Sequence, residues 1–196
     1  GVDPIFFHPL KTHKHNDILE LIAVGRLDLV KGYDVLFKAL RQIHGKISYN
    51  LTLCGSGHIE SYLKEFSAKH ELNVTFKGYV NKTELRSLLQ RSDFFIQPSR
   101  SETFGLSITE GMACGCVPIC SNVGGIPEQV EHLKNGLLFE NEDAAGLSDR
   151  ILSLASDKSL QENLRKTSIE RVKHEFHIHT SIDRLETVYQ SLCERA

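Results

Sequence analysis

Short apolar runs alternate with amphipathic stretches along most of the chain, and this alternation limits the possible folds more than any other feature. Each run is apolar nearly throughout, as parallel strands buried on both faces are. Predicted strands occupy residues 18–25, 49–54, 73–78, 93–98, 117–121 and 136–139. The intervening stretches 33–43, 61–71 and 82–92 place apolar residues on one helical face. Because parallel strands need crossover helices, the pattern predicts a doubly wound sheet.

From residue 143 onward only helical segments are predicted. The sequence therefore predicts an α/β fold: a Rossmann-like, doubly wound parallel sheet of about six strands with helices on both faces and a helical C-terminal tail. Residues 1–16 are interpreted as an extended linker, and the domain proper as residues 17–175. The chain begins with glycine rather than methionine, and we interpret it as a piece of a longer protein.

Charge and cysteine usage exclude several classes of function. The formal net charge is −2, so no overall field attracts nucleic acid or an anionic membrane. Cys114, Cys116 and Cys120 lie close together, but a zinc site needs a second ligand pair at similar spacing, and small buried residues explain the cluster better. The five cysteines thus suggest a reducing compartment, the cytoplasm. No metal site is predicted.

Ligands of such sheets bind beyond the carboxyl ends of the strands, so chemistry is expected in the loops there. After the first strand comes "GRLDLVKG", in which Gly25 gives backbone freedom beside Arg26 and Lys31. A guanidinium and an ammonium in one loop suit phosphate oxygens. Two solvated surface cations are an equally good interpretation of this loop alone.

The next two loops are less specific. Gly55 and Gly57 in "CGSGHIE" permit close approach of a ligand to the backbone, although a tight turn explains them as well. In "GYVN", the backbone of Tyr79 and Val80 could meet a flat ring, and Asn81 is predicted to cap the next helix.

The fourth loop, "PSRSETFGLSITEGMACG", combines an anion site with two carboxylates. A helix is predicted to begin near Phe104 or Gly105, where unpaired N–H groups and the helix dipole favour an anion. Glu102 precedes that site, and Glu110 lies roughly 9 Å along the helix. Carboxylates accept hydrogen bonds from sugar hydroxyls and repel phosphates, so the order suits a diphosphate between two sugars. A capping acid and a surface acid remain the plainer alternative.

These loops together resemble the signatures of the group 1 glycosyltransferases. The matching stretches are "GRLDLVKG", "LCGSG", "FKGYV", "PSRSETFGLSITEGMACG" and "VGGIPEQV", in order and at the family's spacing. The family is retaining, uses nucleotide sugars and has the GT-B fold of two Rossmann-like domains. The resemblance implies that this chain is the second, donor-binding domain. It also implies that residues 1–16 are an interdomain hinge and that the helix in 176–196 packs back on the first domain.

The resemblance also assigns roles to single residues. Arg26 and Lys31 would hold the donor diphosphate, and Glu110 the ribose hydroxyls. Glu102 would lie beside the transferred sugar. The amides of Phe104, Gly105 and Leu106 would cradle the distal phosphate and sugar, with the Tyr79–Val80 backbone at the base and Gly25 and Gly55 lining the site. This sequence has Thr103 where the family often has glycine, and His177 where it often has tryptophan.

The expected reaction is sugar transfer from a UDP-sugar or GDP-sugar to an acceptor hydroxyl, in the cytoplasm or at the cytoplasmic face of a membrane. No Asp-x-Asp pair occurs in the sequence, so Arg26, Lys31 and the helix amides are expected to act without a metal or cofactor. Glu102 is expected to position and stabilise charge rather than attack as a nucleophile. The acceptor, a glycan, lipid or small molecule, would be bound by the missing domain, so the isolated domain is expected to be inactive.

Two other functions remain open at this level. A GT-B epimerase or phosphorylase would use the same fold, and a non-catalytic module could bind a nucleotide sugar without turning it over.

Overall fold

A computed structural model of the chain describes residues 1–10 and 18–193. Its strands are β1 (Leu19–Val24), β2 (Tyr49–Cys54), β3 (Val74–Gly78), β4 (Phe94–Gln97), β5 (Val117–Ser121) and β6 (Leu137–Phe139). They form one parallel sheet in the order β3-β2-β1-β4-β5-β6. The predicted Rossmann-like α/β fold is confirmed, and each strand begins and ends within one residue of its predicted bounds.

Eight α-helices connect and follow the strands in the described part of the chain. They are α1 (Tyr33–Ile43), α2 (Glu60–Lys69), α3 (Lys82–Leu89), α4 (Leu106–Cys114), α5 (Ile126–Gln129), α6 (Ala144–Ser156), α7 (Lys158–Glu175) and α8 (Ile178–Cys193). A short 3₁₀ turn, Leu29–Lys31, precedes α1. Helices α2 and α3 end two and three residues earlier than predicted. Asn81 caps α3 as predicted, since its side chain accepts a hydrogen bond from the amide of Glu84.

Alternate residues of the central strands face two separate apolar cores. In β1, Leu21 and Ala23 belong to the core beneath α1 and α6, whereas Ile22 belongs to the core beneath α4. In β4, Phe94 and Phe95 divide in the same way. Burial on both faces explains why the central strands β1 and β4 are largely apolar, whereas alternate residues of the outer strands β2 and β3 are polar and more exposed.

The strand order reverses between β1 and β4, the two central strands. From β1 the chain adds β2 and then β3 on one side of the sheet. It then crosses back, so that β4 lies on the other side of β1. In doubly wound sheets this reversal opens a crevice between the loops at the carboxyl ends of the two central strands. The loops after β1 and β4 therefore face each other, which sets the place of the site.

The first ten residues pack against the domain, and residues 4–7 form a turn instead of the predicted extended conformation, whereas the interpretation of residues 1–16 as a linker stays a prediction. Val2 and Phe7 are buried in the core beneath α4. The amide of Val2 donates to the carbonyl of Phe176 at 2.7 Å, and its carbonyl accepts from the amide of Ile178 at 2.9 Å. Burial of these apolar side chains stabilises the packing of this segment on the domain.

Helix α8 carries an apolar face that the domain does not cover. Its exposed apolar side chains recur at helical spacing: Ile182, Leu185, Val188, Tyr189 and Leu192. The predicted domain bounds stay a prediction, and their parts in 11–17 and 194–196 lie outside the described residues. Across the described residues, no helix is both long enough and apolar enough to span a bilayer.

Candidate functional site

The loop after β1 is shaped by a capping aspartate that fixes the position of Lys31. The carboxylate of Asp28 accepts a hydrogen bond from the amide of Lys31 and caps the 3₁₀ turn. Gly32 follows in the left-handed conformation, with φ of 65°, and starts α1. This compact turn directs the Lys31 side chain towards the crevice instead of outward.

Lys31 and Glu102 form the central contact of the site. Lys31 Nζ lies 2.5 Å from Glu102 Oε2, and the two side chains are only 22% and 11% exposed. The residues are 71 positions apart in the chain, so the pair joins the loop after β1 to the loop after β4. A largely desolvated ion pair of this kind holds both side chains in a defined orientation.

The N-terminus of α4 lies beside this pair. A Cβ placed on Gly105 would be 3.2 Å from Glu102 Cγ, so the glutamate passes directly over this glycine. The helix begins at Leu106, rather than at Phe104 or Gly105 as predicted, because Gly105 is a left-handed N-cap with φ of 80°. Within the described residues, the amides of Gly105, Leu106 and Ser107 have no hydrogen-bond acceptor. These amides and Lys31 can together bind an anion.

Glu110 lies further along α4 and is half-buried. Burial raises the pKa of its carboxyl, and the charge of Lys82 on α3 partly offsets that rise. A carboxyl in this setting has a strong need for hydrogen-bond donors, and sugar hydroxyls can supply them.

Arg26 is more exposed than Lys31 and does not contact Glu102. Its side chain is 80% exposed, and its Nε lies 2.9 Å from Asp28 Oδ2. The guanidinium thus pairs with the carboxylate that caps the Lys31 turn rather than with Glu102. Its backbone lies at the carboxyl end of β1, immediately after Gly25.

Gly55 permits contact between two loops, which is a packing reason for a glycine at this position. A Cβ on Gly55 would lie 1.9 Å from the carbonyl oxygen of Gly25. Its φ of 130° also disfavours other residues. The loops after β1 and β2 therefore touch backbone to backbone at the crevice. The predicted ligand contacts of Gly25 and Gly55 stay predictions.

Tyr79 and Val80 follow β3 at the same edge of the sheet. Tyr79 is 88% exposed, whereas Val80 packs against the core beneath α4. The predicted contact of their backbone with a base stays a prediction.

The sequence analysis missed the group that supports Glu102 from behind. Gln97 ends β4 and donates from Nε2 to Ser99 Oγ at 2.7 Å and to Glu102 Oε2 at 3.4 Å. Ser121 at the end of β5 donates to the carbonyl of Ser99 at 2.6 Å. The polar ends of two otherwise apolar strands, "DFFIQP" and "VPICS", are the signal that could have identified these residues.

A second missed support is the turn after β5. A Cβ on Gly124 would lie 2.0 Å from the carbonyl oxygen of Glu102, and that same oxygen accepts from the amide of Gly125 at 3.0 Å. The sequence analysis included these glycines only as part of the stretch "VGGIPEQV". The structure shows that their partner is the backbone of Glu102.

A third missed feature is the arginine between these loops. Arg100 binds both carboxylate oxygens of Asp34 on α1, at 2.8 and 2.9 Å, and its Nε lies 2.5 Å from Glu142 Oε1. Its Nη1 also donates to the carbonyl of Leu29. The arginine therefore connects the loops after β1, β4 and β6 around the site.

Chemically, Lys31 and the free amides at the start of α4 can bind an anion, and Glu102 beside them can accept hydrogen bonds. In the part of the chain that the structure describes, no three His, Cys, Asp or Glu side chains cluster closely enough to hold a metal ion. The described cysteines are all unpaired, four of them buried and Cys193 exposed.

Comparison with known proteins identifies relatives of this arrangement. The model of the protein family described as "Glycosyl transferases group 1" matches residues 7–171. The D-inositol 3-phosphate glycosyltransferase of Pseudarthrobacter chlorophenolicus is 31% identical over 199 residues, which cover 98% of this chain and 44% of the relative. The chain spans about half the length of the curated relatives it matches first.

Solved structures share the fold. The sucrose-phosphate synthase of Thermosynechococcus elongatus superposes with a TM-score of 0.90 at 27% identity, over 100% of this chain and 52% of that one. The Anabaena protein HepE, whose structure contains UDP and glucose, superposes with a TM-score of 0.86 at 21% identity, over 97% of this chain and 55% of that one.

Proposed function

The chain belongs to the group 1 glycosyltransferases, and on that premise we propose that it is the donor-binding domain of a retaining, metal-independent enzyme. This enzyme transfers a sugar from a nucleoside-diphosphate sugar to an acceptor hydroxyl. The observation that carries the proposal is the Lys31–Glu102 pair, which lies over the N-terminal amides of α4. A cation, free amides and a carboxylate converge there on one place in the crevice.

Each group has a role that follows from its chemistry. Lys31 and the amides of Gly105 and Leu106 bind the diphosphate, because both are donors to oxyanions. Arg26 is the second cation, and its exposure leaves it free to fold over the phosphates. Glu110 accepts hydrogen bonds from the ribose.

Glu102 acts on the transferred sugar. Its Oε2 is already held by Lys31, and a carboxylate at this place can accept hydrogen bonds from sugar hydroxyls. The uracil or guanine meets the backbone of Tyr79 and Val80. HepE, which contains UDP and glucose, supports UDP as the first donor nucleotide to test.

In the proposed reaction, the bond between C1 of the sugar and the β-phosphate oxygen breaks as the acceptor oxygen bonds to C1 on the same face. The acceptor proton passes to the departing phosphate oxygen. Negative charge grows on the diphosphate, and Lys31, Arg26 and the α4 amides stabilise it because they are already oriented. Glu102 stabilises the positive charge that develops on the sugar. This charge arrangement supports a reaction without a metal.

The domain division and location complete the proposal. The first ten residues and the α7–α8 junction pair side by side, which suits the two chain crossings of an interdomain hinge. The uncovered apolar face of α8 would pack on the missing first domain, which would bind the glycan, lipid or small-molecule acceptor. Free thiols suit the reducing cytoplasm.

Calorimetry on the 196-residue chain with UDP, GDP and ADP tests donor binding. We expect one of these nucleotides to bind, and we expect Lys31→Ala and Glu110→Gln each to weaken it by about tenfold or more. Lys46→Ala is the matched control, because Lys46 is exposed at the opposite edge of the sheet.

Failure of all three nucleotides to bind would instead support a non-catalytic scaffold. A loss of affinity in Lys46→Ala as large as in Lys31→Ala would show that the charge acts only at long range. Sustained sugar transfer by the 196-residue chain alone would contradict the proposed division of labour with a missing domain.

A further inference from the structure

Gln97 is a polar residue in a place where the fold calls for an apolar one. It is the last residue of β4, a central strand in which every side chain is buried, and it is itself fully buried. The residues before it, Phe94 to Ile96, are all apolar and form the two cores. A buried amide is unfavourable unless its groups are used, so its hydrogen bonds are informative.

The direction of the amide is fixed by its neighbours. Nε2 lies 2.7 Å from Ser99 Oγ and 3.4 Å from Glu102 Oε2. An ionised carboxylate only accepts hydrogen bonds, so the NH₂ group and not the carbonyl must face Glu102. Gln97 Oε1 is buried and has no hydrogen-bond partner in the described structure. The side chain is thus aimed at Glu102 even though its own carbonyl is left without a donor.

The two oxygens of Glu102 are used differently. Oε2 receives both Lys31 Nζ and Gln97 Nε2. Within residues 1–10 and 18–193, Oε1 receives no hydrogen bond. We propose that Gln97 is a positioning residue that holds Oε2 of Glu102 so that Oε1 is presented to a hydroxyl of the transferred sugar, an inference that rests on the proposed function.

Gln97 is needed because Lys31 has a second task. When a diphosphate enters the crevice, the ammonium of Lys31 turns some of its three donors towards the phosphate oxygens. Glu102 then loses part of the contact that orients it. Gln97 is neutral, does not bind phosphate and is held in place by Ser99, so it keeps Oε2 fixed through donor binding.

Gln129 provides a comparison within the same chain. It is also fully buried, and neither side-chain polar atom has a partner in the described residues. It lies on α5 and makes no hydrogen bond to Glu102. Replacement of Gln129 therefore controls for the general effect of removing a buried amide.

The experiment compares UDP with UDP-glucose by calorimetry on the 196-residue chain, with GDP and GDP-mannose in parallel. The ratio of the two dissociation constants measures what the sugar adds. In Gln97→Met, which keeps the volume and removes the donor, we expect the ratio to shift against the sugar nucleotide by about fivefold. Affinity for the nucleoside diphosphate stays within about twofold, since Gln97 touches no phosphate group in the proposal.

Gln97→Asn is the second variant, because it keeps an amide but withdraws it from Glu102, and it should shift the ratio in the same direction. Gln129→Met should leave the ratio unchanged. The proposed role of Gln97 would be overturned if the ratio were unchanged in Gln97→Met. It would also be overturned if that variant weakened UDP and UDP-glucose equally and had a lowered melting temperature. Either outcome would leave the proposed function standing. A wild-type chain that binds none of these four probes, and does not bind ADP either, would remove the proposed function and this inference with it.

Discussion

Gly124 has a φ of 51°, and its Cα faces the carbonyl oxygen of Glu102 so closely that no side chain fits between them. The position of Glu102 therefore depends on the lack of a side chain at Gly124, in the loop after the neighbouring strand β5. This dependence of Glu102 on Gly124 can be tested against a glycine with the same backbone conformation and no neighbours.

We expect Gly124→Ala to lower the free energy of unfolding by about 3 kcal/mol, because the new Cβ would lie 2.0 Å from Glu102 O and would force that backbone to move. Gly45→Ala, at a φ of 76° with nothing within 4 Å, should cost only about 1 kcal/mol of left-handed strain. Urea unfolding of both variants measures the difference. Equal losses would mean that the contact with Glu102 is relaxed easily.

The sequence patterns identified individual residues of the candidate site, such as Lys31 and Glu102, but not the contacts between them. Lys31 and Glu102 were both identified from their loops, but as groups with separate ligands. Their ion pair joins residues 71 positions apart, and no local pattern specifies such a pairing. The partner of Gly124 was missed for the same reason, whereas the cap formed by Asn81 was predictable because it acts within four residues.

Among the elements, strands were easier to predict than the segments between them. Six continuous apolar runs have few alternatives to buried parallel strands, so their bounds and the fold class followed from the sequence. The burial of Val2 and Phe7 in the first ten residues was not predicted, because proline and histidine content says little about tertiary burial. Val2 and Phe7 are buried by elements that lie far away in sequence.

The loops around the site are also connected as elements, through Arg100. Burial alone would raise the pKa of Asp34, but the hydrogen bonds and charge of Arg100, and then of Lys38, outweigh it and lower that pKa below its ordinary value of 3.8. Because the folded-state pKa is lowered, this contribution to stability is present above pH 3.8 and is lost as the pH falls through the folded-state value.

Arg100→Met should therefore destabilise the domain by about 2 kcal/mol at neutral pH, since the arginine side chain is only partly exposed. The gap between wild type and variant should shrink as the pH falls below 3.8. Urea unfolding across this range measures it, with Arg41→Met, an exposed arginine on α1, as the control. A gap that is independent of pH would show that the arginine acts by packing and not through Asp34.

At the scale of the whole molecule, both faces of the sheet are covered by apolar cores, whereas one apolar face of α8 is exposed. The apolar residues of α8 follow one face and remain exposed in this chain. Exposed apolar faces of this kind mark contacts with other structural units. The stability of the sheet domain should be largely independent of this face.

The double variant Leu185→Glu, Tyr189→Glu should change the free energy of unfolding of the 196-residue chain by less than about 0.5 kcal/mol, because both side chains are exposed. It should also reduce self-association of the isolated chain, which analytical ultracentrifugation measures. Substantial unfolding of the variant would show that α8 is an integral part of the domain core. The double variant Ser61→Glu, Ala68→Glu, at two exposed positions of α2, serves as the matched control because it changes the net charge by the same amount.

The backbone contacts made by Gly55 and Gly124 also limit how a domain of this shape can diversify. Two loops whose backbones are in contact cannot change length or position independently, because a shift of one loop would collide with the other. Under the proposed function, a change in donor preference is therefore expected to come from exposed side chains such as Tyr79, while the backbone of these loops stays the same. The backbone of these loops is thus constrained by its contacts, whereas the exposed side chains on them can be replaced.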